Sequence, residues 1–178
     1  MKVMTAACAW LGLMVFLAAS ARAETFPIPR IPNVTIDGRN SDWKDAGARV
    51  GVLSRLSHVG IENDPTGRTD LRLGWDDQGL LILIRVQDET RVESGDDSLY
   101  RGDSVEVFLA PSVGSKDFLQ VVASPGIPDS ETPKVRSTVV VHGDLLKAKQ
   151  AAEVAGGSDA KGWWLELRLG WSGLGIAP

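Results

Sequence analysis

"TDLRLGWDDQGLLILIRVQDET", Thr69 to Thr90, decides how the chain is read. Leu71, Leu73 and Trp75 alternate with Arg72 and Gly74, the period of a strand with one face on a core. Asp76-Asp77-Gln78-Gly79 is a run of turn formers. "LLILIRVQD" then starts apolar on both faces and ends in alternation, Ile84 and Val86 against Arg85 and Gln87. Two such segments around a short polar loop with a late glycine predict an antiparallel hairpin. The near-continuous apolar run places the second strand in the middle of a sheet.

The same pattern recurs on both sides. Upstream, "PIPRIPNV" (Pro27–Val34) is too rich in proline for a helix interior and predicts an extended lead-in. "TIDGRNSDW" follows, with a turn at Asp37-Gly38 and Ser41 or Asp42 as the expected cap of a short helical turn through Trp43. Downstream, "ETRVESGDDSLYRG" is a polar, acidic loop. "YRGDSVEVFLAP" (Tyr100–Pro111) then alternates Val105, Val107 and Leu109 with Ser104, Glu106 and Phe108, a half-buried strand that carries a glutamate on its outward face. "DFLQVVAS", "KVRSTVVVHG" and "GWWLELRLGW" read as further strands. In the last, Trp163, Leu165, Leu167, Leu169 and Trp171 share one face, and Trp164, Glu166, Arg168 and Gly170 the other. "KAKQAAEVA" (Lys147–Ala155) is helical by propensity, while its β surroundings favour strand or loop equally. Many strands punctuated by Gly, Pro, Asp and Asn predict an all-β fold, an antiparallel β-sandwich. Nothing after "WSGLGIAP" reads as a closing strand, so the expected sandwich is incomplete at its C-terminal side, with an unpaired edge.

The first 23 residues read differently. Lys2, the apolar "AACAWLGLMVFLAAS" and Ala21-Arg22-Ala23 form the n-region, h-region and cleavage site of a secretory signal peptide. The apolar run is short for a membrane span. Removal of residues 1–23 leaves 24–178 as one domain without cysteine or methionine, and 17 basic against 23 acidic residues, a formal charge of −6. Disulfides, thiol nucleophiles and thiolate metal sites are thereby excluded. An acidic domain also argues against nucleic acid or an anionic membrane surface as partner. The expected location is secreted or periplasmic.

In order, "TIDGRNSDW", the Thr69–Thr90 hairpin, "YRGDSVEVFLAP" and "GWWLELRLGWSGLG" resemble the family 9 carbohydrate-binding modules and the related DOMON-like domains. The likeness covers about Ile31 to Pro178. It implies a β-sandwich that is non-catalytic and binds polysaccharide or its chain ends. It implies one aromatic clamp just before the D-S-V-E strand, matched by Tyr100, and a glutamate on that strand that contacts sugar hydroxyls, matched by Glu106. A neighbouring strand supplies further polar contacts in the family; Val122 and Ser124 stand there in this chain. The family's second aromatic lies beyond the W-x-x-L-G motif. Some members bind calcium, which makes Asp88, Glu89, Asp96 and Asp97 candidate ligands for Ca2+. No other cofactor is indicated.

Each candidate has a plainer alternative. Glu106 is a bidentate acceptor suited to paired hydroxyls, or else a solvated glutamate paired with Arg85 or Arg168. Tyr100 offers a ring to a pyranose, or is an ordinary loop tyrosine. Trp164, sharing a face with Glu166 and Arg168, is a candidate platform, or packs under a loop. Trp43, Trp75, Trp163 and Trp171 are expected in the core. The acids from Asp88 to Asp97 lack EF-hand spacing and are otherwise a solvated loop. His58 and His142 stand alone, so no Ser-His-Asp arrangement is visible.

Three functions follow. The first is a secreted carbohydrate-binding module, aiding carbohydrate catabolism through a linked glycoside hydrolase. The second is a structural envelope or surface domain without a sugar pocket. The third is a DOMON-type haem domain, disfavoured because residues 24–178 hold no methionine and only two histidines for axial ligation.

Overall fold

The computed structural model describes residues 26–50, 54–57, 60–63, 68–94, 97–112, 114–126, 135–143 and 152–174. The expected signal peptide, His58, Asp96 and residues 147–151 lie outside them. The described elements are almost entirely strand: β1 Ala48–Val50, β2 Ser54–Ser57, β3 Gly60–Asn63, β4 Thr69–Trp75, β5 Gly79–Val86, β6 Val105–Leu109, β7 Phe118–Ser124, β8 Arg136–His142, β9 Ala152–Asp159 and β10 Gly162–Gly170. Two 3-10 turns, Asn40–Asp42 and Leu99–Arg101, are the only helical pieces among them.

The hairpin from Thr69 forms as its sequence predicts. Asp76 ends β4 and its Oδ1 accepts from the backbone N–H groups of Gln78 at 2.8 Å and Gly79 at 2.9 Å, which folds the chain back on itself. The register pairs Trp75 with Leu80 and Thr69 with Val86. β5 is then flanked by β10 on its other side, in the sheet order β1-β4-β5-β10-β9. A second sheet runs β6-β7-β8, and β2 and β3 form a separate pair. Every strand pairing within these sheets is antiparallel.

The two larger sheets pack face to face as a β-sandwich. Ile82, Ile84, Trp163, Leu165, Leu167 and Leu169 from the five-stranded sheet meet Leu119, Val121 and Ala123 of β7 in one buried cluster. Each such side chain contributes about 1.5–3 kcal/mol on leaving water. β5 is apolar on both faces because its outer face is buried as well. Ile31, Val34 and Trp43 of the lead-in lie over Leu81 and Leu83. The lead-in is extended and pinned to the end of β4, with Ile31 N–H donating to Trp75 O at 2.8 Å and Trp75 N–H to Pro29 O at 3.1 Å.

One local expectation changes and one open alternative is decided. The turn before Trp43 begins at Asn40 after an N-cap of Arg39, and no side chain caps it. Asp42 instead accepts from Thr35 N–H at 2.7 Å, tying the turn to the lead-in. The described part of "KAKQAAEVA" is strand β9, not helix. Its pairing with β10, Ala152 opposite Leu169 through Asp159 opposite Gly162, overrides a local propensity worth only tenths of a kcal/mol per residue.

Candidate functional site

Strand alternation sends Glu106 and Phe108 of β6, Phe118, Gln120, Val122 and Ser124 of β7, and Thr138, Val140 and His142 of β8 to the outer face of the three-stranded sheet. One end of this face is covered. The described parts of the loop following β5, residues 88–94 and 97–103, fold over it, and the 3-10 turn packs on β7. Leu99 is buried there, with Val122 and Ser124 beneath the cover. Arg136 of β8 holds the loop down, donating to Ser94 O at 3.0 Å and pairing with Glu93 at 3.5 Å and Asp97 at 3.4 Å. The loop also closes on itself, with reciprocal bonds between Val92 and Asp103. Gly102 is required at this closure, because a Cβ there would lie 2.5 Å from Val92 O.

This arrangement leaves Tyr100 standing out at the rim, 61% exposed, with the Arg101 guanidinium 5.9 Å from its ring centroid. Glu106 lies on the open part of the face. Its partner is Gln120 on the adjacent strand, whose Nε2 donates to Oε2 at 2.9 Å. The expected pairing with Arg85 or Arg168 does not occur, because both arginines belong to the other sheet. Ser124 is 2% exposed, and its hydroxyl accepts a long bond from Gly126 N–H at 3.4 Å, so it is closed off from solvent.

Trp164 is on the opposite side of the sandwich. It pairs in register with Arg85 and Gly157, and its Nε1 donates to Gly38 O at 2.9 Å. A cavity of about 270 Å³ opens beside it, lined by Arg68, Asp70, Arg85, Asp159 and Lys161 among others. The core separates Trp164 from Tyr100 and Glu106, so the four candidate carbohydrate residues do not form one site.

Two of the acidic candidates for calcium, Asp88 and Asp97, have partners within the protein. Asp88 accepts from Thr90 N–H at 2.9 Å in a local turn, and Asp97 faces Arg136. No group of three or more His, Cys, Asp or Glu side chains among the described residues is placed to hold a metal ion.

Sequence reasoning missed His142. It does not stand alone: it stacks on Phe118, ring centroids 4.1 Å apart and planes 17° from parallel, and its Nε2 lies 3.2 Å from Gln120 Oε1. The period-2 pattern places Phe118, Gln120 and His142 outward, and that signal was available. Register alone makes them neighbours. Sequence reasoning also missed Glu166, fully buried on the outer face of β10. Its Oε1 accepts from Trp43 Nε1 at 2.9 Å and its Oε2 from Gly38 N–H at 2.8 Å. Burial, first, and then the nearby charges of Asp42 and Asp37 push its pKa up to about 7, against the two hydrogen bonds that lower it.

The family model described as carbohydrate family 9 binding domain-like matches residues 36–121. That stretch is family 9-like. It includes Tyr100 and Glu106 and stops short of Ser124 and Trp164. Among solved structures, a family 9 carbohydrate-binding module from Caldicellulosiruptor kristjanssonii in complex with cellotriose matches with a TM-score of 0.54 and 17% identity, over 80% of this chain and 65% of that one. At that identity the likeness is one of fold, and this chain spans less than two thirds of the other's length. No curated protein matches the chain. The matched family model is one of binding domains.

Proposed function

We propose that the family 9-like sandwich is a secreted or periplasmic module that binds polysaccharide or its chain ends through the outer face of β6-β7-β8, and that it serves a linked glycoside hydrolase. The observation that carries the reading is Glu106: a carboxylate held by Gln120 at 2.9 Å on an open sheet face, with the exposed ring of Tyr100 at the rim. A flat ring stacks on the C–H face of a pyranose, and a carboxylate accepts from paired hydroxyls. The family match over this stretch and the cellotriose-bound neighbour of the same fold support the ligand class. The signal-like N-terminus supports export. A hydrolase joined to the module would gain local concentration on its substrate.

Affinity on the order of micromolar to millimolar is expected from so shallow a site. Isothermal titration calorimetry and affinity electrophoresis against xylan, cellulose and their oligosaccharides test it. Absence of binding to all of them, by a folded protein, refutes the sugar reading and leaves the structural envelope role.

A further inference from the structure

Beyond Glu106, at the end of the sheet away from Tyr100, two diagonals cross β6, β7 and β8. One is aromatic. Phe108, 59% exposed, lies with its ring centroid 6.0 Å from that of Phe118, which in turn stacks on His142 at 4.1 Å. The other is polar. Gln120 donates from Nε2 to Glu106 at 2.9 Å and faces His142 Nε2 with Oε1 at 3.2 Å. The carboxylate accepts only, so the Gln120 amide is fixed with its nitrogen toward Glu106. Its oxygen must then accept, which places a proton on His142 Nε2. The three polar groups are thus locked in orientation by one another. Glu106 Oε1 has no protein partner among the described residues.

Resting on the sugar-binding reading, we infer that this strip is a second pyranose subsite, continuous with the first through Glu106, so that the face takes a run of several sugar units rather than one terminal residue. From the level of Glu106, opposite Val122, to Phe118 the open face runs roughly 13 Å, four steps of about 3.3 Å, long enough for more than one ring. The chemistry selects the occupant. Exposed aromatic surface alone would also suit a protein partner. A protein interface depletes charge at its core, and here an acceptor-only carboxylate sits between the aromatics and the rim. A pyranose offers both halves of the match, C–H faces for Phe108 and Phe118 and hydroxyl donors for Glu106. Preorganised side chains lose little rotamer freedom on binding.

Calorimetry with cellobiose to cellohexaose and xylobiose to xylohexaose, on the full chain, tests the inference. One further aromatic contact is expected to raise affinity about 3–10-fold between the disaccharide and the hexasaccharide. In Phe108→Ala and His142→Ala that ratio falls to near one. Phe108 is solvent-exposed, so its variant retains the fold even if the His142 variant does not. Disaccharide binding without any gain on lengthening overturns the second subsite and leaves the first. A gain that Phe108→Ala does not diminish also overturns it. No binding of any oligosaccharide overturns the sugar reading itself, and the subsite with it.

Discussion

Trp43 and Glu166, 123 residues apart, meet in a buried hydrogen bond of 2.9 Å that joins the lead-in to the last strand. The second carboxylate oxygen is taken by Gly38 N–H, at a turn where Gly38 adopts φ +81° and a Cβ would lie 2.5 Å from Gly156 O. The "IDGRNSDW" opening thus works as a clasp over the outer face of the five-stranded sheet, with one carboxylate at its centre.

That carboxylate makes stability depend on pH. Its pKa is raised from 4.5 to about 7 on folding, chiefly by burial. The folded protein therefore holds the proton more tightly than the unfolded chain. Its contribution is complete below about pH 4.5 and is lost as pH rises through about 7, a decline on the order of 3 kcal/mol. Urea unfolding between pH 5 and 8 is expected to show this fall, and Glu166→Gln to remove it. Equal slopes in the two proteins would refute the assignment.

Trp43→Phe keeps an aromatic ring but deletes the donor and leaves a cavity in a fully buried site. Glu166 Oε1 is then buried without its partner, and a loss of at least about 1–3 kcal/mol is expected from the denaturant midpoint. Oligosaccharide affinity is expected to stay constant, because the clasp lies on the other side of the core from Glu106.

Tyr100→Ala and Glu106→Gln test the proposed sugar site. Both residues are exposed, so stability should move by no more than about 0.5 kcal/mol. Oligosaccharide affinity should fall by roughly 10–100-fold for the glutamate, the worth of a charge-assisted hydrogen bond. Trp164→Ala should do the reverse, costing stability through the lost bond to Gly38 O without weakening sugar binding. Loss of binding in the Trp164 variant with Tyr100 and Glu106 dispensable would move the site to the opposite sheet.

Arg136→Ala removes the anchor of the acidic loop at Ser94, Glu93 and Asp97. Faster amide exchange in residues 88–103 and weaker sugar binding are expected, with exchange in β5 and β10 unchanged. Chelator treatment of the wild-type protein is expected to leave the thermal midpoint and the loop's exchange unaltered, since Arg136 already pairs with Glu93 and Asp97. A drop of several degrees with EDTA, restored by calcium, would contradict that.

The strands of the hairpin, of "YRGDSVEVFLAP" and of "GWWLELRLGW" were legible because a period of two with one apolar face is a local property. Tyr100 and Glu106 stood out by their matching motif, and both are exposed, one in the 3-10 turn at the rim and one on the open sheet face. Ser124 was not legible, because the pattern reports only that it points outward, and the loop that buries it arrives from 21 or more residues upstream. Glu166 and Arg168 misled for the same reason. Their polar face on β10 looks solvated in the sequence, yet Glu166 is wholly covered and Arg168 is 7% exposed, bonded to Asp76 at 3.0 Å and Val34 O at 2.7 Å. A buried charge of this kind persists only with its partners in place.

What the sequence determined by itself was periodicity, turn chemistry and therefore an all-β sandwich with a central β5. Those depend on neighbours a few residues apart. Only the tertiary structure decided which outward faces stay open. The lead-in covers one sheet, the acidic loop covers one end of the other, and what remains brings Glu106, Gln120 and His142 together across 14 and 22 residues of chain. Strand register sets those meetings, and register is a property of the paired strands, not of any one of them.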